Sequence, residues 1–304
     1  MIFSHKPVMI DEVVKGLKVE KPSVYVDLTS GGGGHAEKII ENNPGIKAVL
    51  IDQDSDAVSF LKEKFSGNSN VTVVRSSFSD LDKVLFLLKI KHADIIFADL
   101  GVSSFQFDTA SRGFSVSQDG PFDMRMNKDG SMTALEFVKK TSEGDLRNVL
   151  SEYAQERESG RIARVLKKCA EDGMTTTLEF ANEIRKAKRF GKKGIDPSTQ
   201  VFMALRMAVN NEIGELERML NKAFVSLSDG GVLGVITFHS TEDRVVKRFF
   251  RDRRDSLPFY SESDKGRPFI YGKVDVDDMI QPSEGEISEN PRSRSAKLRI
   301  LRKV

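Results

Sequence analysis

The chain has 304 residues, 39% of them hydrophobic and 30% charged, with a formal net charge of only +2. So small an excess of positive charge excludes a strong global pull on nucleic acid, and leaves any such binding to local basic patches. Cys169 is the only cysteine, which excludes an internal disulfide and a cysteine zinc cluster. No apolar run approaches the ~20 residues of a membrane helix, and "MIFSHKPVMI" has no secretory pattern. A cytoplasmic protein without membrane attachment or bound metal is expected.

Strand-like and helix-like segments alternate through the first hundred residues. "VYVDLT" (24–29) reads as a strand and "GHAEKIIENN" as the helix behind it. "KAVLIDQD" (47–54) and "SDAVSFLKEKF" repeat the pattern, with Asp54 or Ser55 as the helix cap. "VTVVRSS" (71–77) and "ADIIFADLG" (93–101) are two further strands. Short, almost continuously apolar strands between helices predict a parallel sheet covered on both faces. Residues 102–130 have no period and many turn formers, with aromatics and arginines interleaved, so a functional loop is expected. Residues 131–188 read as mostly helical and 189–200 as a basic connector. One long amphipathic helix is expected over about 198–228. "GGVLGVITF" (230–238) is then a strand, followed by a helix capped by Ser240. Residues 251–290 are polar and weakly patterned, and "AKLRILRKV" is the last strand. The pattern predicts a doubly wound α/β domain interrupted by a helical insertion.

The glycines of "VDLTSGGGGHAEKI" sit between the first strand and its helix. A P-loop needs Lys and then Ser or Thr after its last glycine, whereas His35 and Ala36 follow Gly34 here. The dinucleotide pattern G-x-G-x-x-G/A is matched by Gly31, Gly33 and Ala36. The third reading is S-adenosylmethionine, and charge favours it. Pyrophosphate would be repelled by Asp27 at the strand end, whereas a sulfonium and an α-ammonium would be attracted. Asp27 also suits a plain turn or cap. Asp52 ends the second strand where an acid binds ribose hydroxyls in either reading.

Asp99, in "ADLGVSSFQ", ends the fourth strand beside the same crevice. An exocyclic base amine is a poor nucleophile because its lone pair is delocalised into the ring. An acceptor that draws the nitrogen toward tetrahedral geometry restores that lone pair and stabilises the developing positive charge. Asp99 is the catalytic candidate, with cofactor contact as its other role. In "FHSTEDRVVKRFF", residues His239, Ser240, Glu242 and Asp243 share one strand-to-helix turn. Such neighbours are poorly placed for a Ser-His-acid relay and better suited to lining a pocket. Asp123 and Arg125 form either a surface ion pair or a lid. Basic clusters at 185–193, 247–254 and 292–299 suit a local RNA-binding surface.

Several long strings together resemble one family, the bacterial methyltransferases acting on N4 of a cytidine in small-subunit (16S) ribosomal RNA. They are "HKPVMIDEVVKGL", "VDLTSGGGGHAEKI", "DLGVSSFQFDTASRGFSVSQDGPFDMRMN", "EYAQERESGRIAR", "ALRMAVNNEIGELE", "GGVLGVITFHSTEDRVVKRFF" and "NPRSRSAKLRIL". The resemblance implies a class I methyltransferase (Rossmann-like) fold. The methyltransferase domain would span 1–108 and 213–304, and an inserted substrate-recognition domain 109–212. It implies S-adenosylmethionine contacts at Gly33, Gly34, His35, Asp52, Phe78, Asp99 and Gln106; the charge argument adds Asp27 as a candidate further contact. Arg112, Asp123, Arg125, His239, Ser240 and Glu242 are candidates for the substrate pocket. The implied substrate is a cytidine of the decoding region in the assembled small subunit, and a homodimer is left open. The sequence departs from the family where Asp196 and Gln200 of "DPSTQ" replace a usual histidine and arginine. That loss keeps open a non-catalytic assembly factor, and the dinucleotide match keeps open a nicotinamide oxidoreductase.

Overall fold

The computed structural model describes residues 7–130, 132–188, 196–255, 261–262, 268–269 and 274–304. It divides into two compact units, one formed by Met1–Gly101 with Gly214–Val304, the other by Val102–Ile213.

The first unit opens with helix α1 (Ile10–Gly16), then β1 (Val24–Asp27), α2 (Gly34–Asn42), β2 (Lys47–Asp52), α3 (Ser55–Lys64) and β3 (Val71–Arg75). A 3-10 turn (Phe78–Asp80), α4 (Leu81–Leu87) and β4 (Ala93–Asp99) complete its first part. Buried β-branched and leucine side chains run unbroken through β2 from Val49 to Ile51, as a strand covered on both faces requires. Asp54 caps α3, its carboxylate accepting from Asp56 N at 3.0 Å.

In the second unit come α5 (Ser104–Asp108), a 3-10 turn (Ala110–Arg112), α6 (Ala134–Lys140), α7 (Glu143–Ala154), α8 (Ser159–Glu171), α9 (Thr177–Ala187) and α10 (Thr199–Val209). Its strand-like content among the described residues is one bridge, Pro121 to Thr176. The stretch after Gly101 that lacks periodicity is packed rather than loose. Phe114, Phe122, Met124 and Met126 join a core with Leu146, Ile162, Phe180 and Phe202. Phe122 stacks on Phe180 with centroids 4.1 Å apart.

The long helix expected over 198–228 is two helices, α10 and α11 (Glu212–Ser226). Asn211 takes the left-handed conformation, φ 48°, which ends the first helix. The Asn210 amide is committed to Met124 O and Arg206 O, both at 2.8 Å, and its carbonyl accepts from Met126 N. β5 (Leu227–Thr237) and α12 (Ser240–Asp255) resume the α/β order. Ser240 lies inside the first turn of α12 and is not its cap. The ring Nδ1 of His239 faces Glu242 N at 3.4 Å, and the Glu242 carboxylate accepts from Phe238 N at 3.1 Å. The weakly patterned stretch contains β6 (Ser261–Glu262), β7 (Pro268–Phe269), β8 (Val274–Val276) and α13 (Glu284–Glu289), and β9 (Lys297–Lys303) follows as the expected last strand. Much of the 185–193 cluster and of the expected connector, from residue 189 to 195, lies outside the described residues.

Seven strands form one sheet in the order β3-β2-β1-β4-β5-β9-β8. β1 to β5 are parallel, and β9 enters antiparallel against β5. This is the class I methyltransferase arrangement, a doubly wound α/β fold. The strand order reverses between β1 and β4, so the crevice at their carboxyl ends is the place where such sheets bind ligands.

Candidate active site

Four strands deliver polar side chains to that edge of the sheet: Asp27 from β1, Asp52 from β2, Asp99 from β4 and Thr237 from β5. Asp27 is buried. Its carboxylate accepts from Tyr25 Oη at 2.9 Å and Thr29 N at 3.1 Å. Burial pushes its carboxyl up to about 6, against those hydrogen bonds, with the Asp52 charge adding to the rise. Asp52 is pushed up to about 6 by burial too, although Asp54 N and Gly31 N donate to it at 2.8 and 2.9 Å. Its second oxygen thereby ties β2 to the glycine turn.

That turn needs its glycines. Gly33 has φ 72°, and a Cβ there would meet Leu61 Cδ2 at 2.8 Å and Phe65 Cε2 at 2.9 Å. A Cβ on Gly34 would meet Pro7 Cγ at 2.2 Å. His35, which sequence position alone leaves free to face solvent, is instead 8% exposed. Its Nε2 lies 2.8 Å from Val8 O. A carbonyl only accepts, so Nε2 carries the proton and Nδ1 offers a lone pair toward Asp99 Oδ2, 3.8 Å away. Burial lowers the ring to about 4, so it is neutral near pH 7.

Asp99 is perturbed in the same direction. Burial raises it well above the ordinary carboxylate range, and the charges of Asp27 and Glu242 add to the effect. Its backbone N–H is held by Thr29 Oγ1 at 2.6 Å, while its Oδ1 is buried without a hydrogen-bond partner. Buried polar atoms are nearly always paired. An orphaned carboxylate oxygen among two other acids suits a ligand that brings N–H groups and positive charge. S-adenosylmethionine fits on those terms. Asp27 and Asp99 would face its cationic groups, Asp52 its ribose, and the turn at Gly33 and Gly34 would lie against its backbone-like portion. Phe78 is half-buried and opens the 3-10 turn after β3, where an aromatic face would meet the adenine. Glu215 of α11 clamps that turn, accepting from Ser77 Oγ at 2.9 Å and from Ser79 Oγ.

Sequence reasoning missed Thr237, which is fully buried with its Oγ1 unpartnered among the described residues. The signal was present: a lone polar residue at the carboxyl end of an apolar strand, the pattern that picks out Asp52 and Asp99. Beyond it, His239 Nε2 lies 3.0 Å from Glu242 Oε1. Asp243 is held in ion pairs: it binds Lys297 Nζ at 3.0 Å and Arg299 Nε at 2.7 Å, which hold its carboxyl below the usual range. Part of the 292–299 cluster is therefore spent on an internal ion pair.

Gln106, Arg112, Asp123 and Arg125 belong to the second unit. Gln106 forms a capping box with Ser103, and its Nε2 lies 3.4 Å from Met126 O. Arg112 is 5% exposed, and its Nη2 donates to Arg125 O at 3.0 Å and Met126 O at 2.8 Å. Asp123 and Arg125 form a two-point pair at 2.8 Å, with Arg125 Nη1 also on Gly130 O at 3.0 Å. All four brace one loop. Asp196 is a brace as well, pairing with Arg185 Nε at 2.9 Å and accepting from Ser198 N at 2.8 Å at the start of α10. Asp196 thus secures the entry to a helix.

Asp52→Ala is expected to weaken S-adenosylmethionine binding by about 1.5–3 kcal/mol, through loss of a charge-assisted hydrogen bond. Calorimetry is the check, and an unchanged affinity would remove Asp52 from the site.

A model of the MraW methylase family matches residues 2–304. The chain is 40% identical over 301 residues to the "Ribosomal RNA small subunit methyltransferase H" of Coprothermobacter proteolyticus, covering 98% of this chain and 96% of that protein. It is 39% identical to the protein of the same name from Caldicellulosiruptor saccharolyticus, covering all of both chains. Among solved structures, an rRNA methylase from Streptococcus thermophilus aligns over 97% of this chain and 93% of that one, at 11% identity and a TM-score of 0.43. The nicotinamide reading of the glycines falls with these matches. The chain belongs to the MraW methylase family and is an S-adenosylmethionine-dependent methyltransferase.

Proposed function

We propose that the protein transfers a methyl group from S-adenosylmethionine to the exocyclic N4 of a cytidine in the decoding region of 16S ribosomal RNA. The assembled small subunit is the substrate. The observation that carries this reading is Asp99: a carboxyl with one buried, unpartnered oxygen at the end of β4, beside an acid-lined cofactor crevice. Such a group is suited to accept a hydrogen bond from an exocyclic amine, and relatives named as methyltransferases of small-subunit ribosomal RNA supply the RNA class. Gly33, Gly34, His35, Asp52, Phe78 and Gln106 are assigned to the cofactor, with Asp27 beside its cationic end. Arg112, Asp123, Arg125, His239, Ser240 and Glu242 are assigned to the substrate side, where Arg112 and the Asp123–Arg125 pair act by shaping their loop. Residues 109–212 are the substrate-recognition region of this proposal.

S-adenosylmethionine supplies an electrophilic methyl group when bound. The protein then has to bring the amine into line with that methyl group and accept hydrogen bonds from its N–H groups. Base pairing and stacking hide N4, so the target cytosine must be unpaired or flipped. Exposed cations on separate segments, among them Lys247 and Arg251 on α12 and Arg292 and Arg294 before β9, favour a shaped RNA over a short linear one. No helix among the described residues is long and apolar enough to cross a membrane.

Labelled methyl groups are expected on cytosine N4, with assembled small subunits methylated much faster than naked ribosomal RNA or oligonucleotides. Nucleoside mass spectrometry checks the first. Label on ring carbon 5, a ribose hydroxyl or protein would refute the chemistry. Equal rates on naked RNA and on subunits would refute the shape argument alone.

A further inference from the structure

Three contacts tie the start of the chain to the glycine turn and to its far end. The Pro7 ring occupies the space a side chain on residue 34 would need, with its Cγ 2.2 Å from where that Cβ would stand. Val8 O accepts from His35 Nε2 at 2.8 Å. Met9 N donates to Glu286 Oε1 at 2.7 Å across 277 positions of sequence. Met9 is fully buried and left-handed, with φ 55°, a conformation a non-glycine residue keeps only when its surroundings over-determine it. Glu286 is itself fixed in the first turn of α13, where its N–H is capped by Ser283 Oγ at 3.2 Å. The other end of α1 is held separately, by Arg302 on Gly16 O and on Lys18 O at 3.1 Å.

We infer that Glu286 is a positioning residue for the cofactor site: it latches the clasp Pro7–Met9, whose Val8 carbonyl fixes the ring of His35. Without the latch, Met9 relaxes out of the left-handed region, Val8 O swings away, and His35 loses the partner that sets its tautomer and its lone pair toward Asp99. The inference rests on the reading of His35 as a cofactor contact. Its closing experiment therefore follows the ring and the ligand separately.

The full-length chain with 15N-labelled histidine is titrated with S-adenosylhomocysteine, for the wild type and for Glu286→Ala, Glu286→Gln and Arg302→Gln. Glu286→Ala is expected to abolish the protected Nε2–H signal of His35 and to raise Kd about tenfold. Glu286→Gln keeps an accepting oxygen and is expected to restore both to within twofold. Arg302→Gln, which frees the opposite end of α1, is expected to lower Tm while leaving the His35 signal and Kd as in the wild type. Glu286→Asp, which withdraws the carboxylate by one methylene, replaces the alanine variant if that one does not fold. An unchanged His35 signal in Glu286→Ala overturns the latch. Equal losses in Arg302→Gln overturn it too, because they mark general destabilisation. A lost signal with an unchanged Kd overturns the positioning role and locates the fault in the reading of His35, since the clasp has then moved without effect on the ligand.

Discussion

Asp99→Ala is expected to lower kcat by about 10²–10⁴-fold, the range for loss of a positioned proton acceptor, while changing cofactor Kd by less than about tenfold. The carboxyl sits at the end of β4 with one oxygen buried and unpartnered, and the other 3.8 Å from the lone-pair side of His35. Its backbone is fixed by Thr29, so the side chain has a defined origin. Removal deprives the amine of its acceptor while leaving Asp27, Asp52 and the glycine turn to hold cofactor. Asp99→Asn separates two components. The amide keeps an acceptor oxygen but neither the charge nor the capacity to take up a proton, so its rate should fall between wild type and alanine. Single-turnover methyl transfer at saturating cofactor, beside calorimetric binding of S-adenosylhomocysteine, is the measurement. A Kd that rises as far as the rate falls would make Asp99 a cofactor ligand alone.

The parts of this site that could be read in the sequence are those fixed by local pattern. An apolar strand ending in an acid is legible because the strand period and the terminal polar residue lie within a few positions, and Asp27, Asp52 and Asp99 all follow that rule. The glycine turn is legible for the same reason. What escapes is whatever depends on distant segments meeting. Nothing near His35 announces Val8 O, nor does anything near Met9 announce Glu286. The clamp of Glu215 on the turn at Phe78 spans 138 positions to Ser77. The break at Asn210 and Asn211 is hidden because amphipathic spacing continues across it, while Asn210 is committed to the loop at Met124 and Met126. Charge clusters mislead in the opposite direction. Lys297 and Arg299 read as free cations along the chain, yet they neutralise Asp243.

Cofactor affinity is expected to fall about a hundredfold between pH 7 and pH 5, at constant ionic strength. In the free protein Asp27 and Asp52 both titrate at about 6, chiefly because burial disfavours their charged forms. A ligand carrying a sulfonium and an α-ammonium, with ribose hydroxyls donating to Asp52, favours the ionised carboxylates and lowers both values. The linkage sign follows: free-state values above bound-state values mean that binding releases protons, so affinity rises with pH and levels off above about 6. Two carboxyls at about 6 are each largely protonated at pH 5, and ionising each costs about one log unit of affinity there. For folding of the free protein the sign is reversed. These two acids are raised above their unfolded values near 3.8, so the stability they contribute is lost as pH rises from about 4 to 6. Calorimetry at pH 6 in buffers of different ionisation enthalpy reads the released protons directly, and Asp27→Asn should remove about half of the release and of the pH slope. Binding that is flat from pH 5 to 7 would place the positive charge of the cofactor away from these acids.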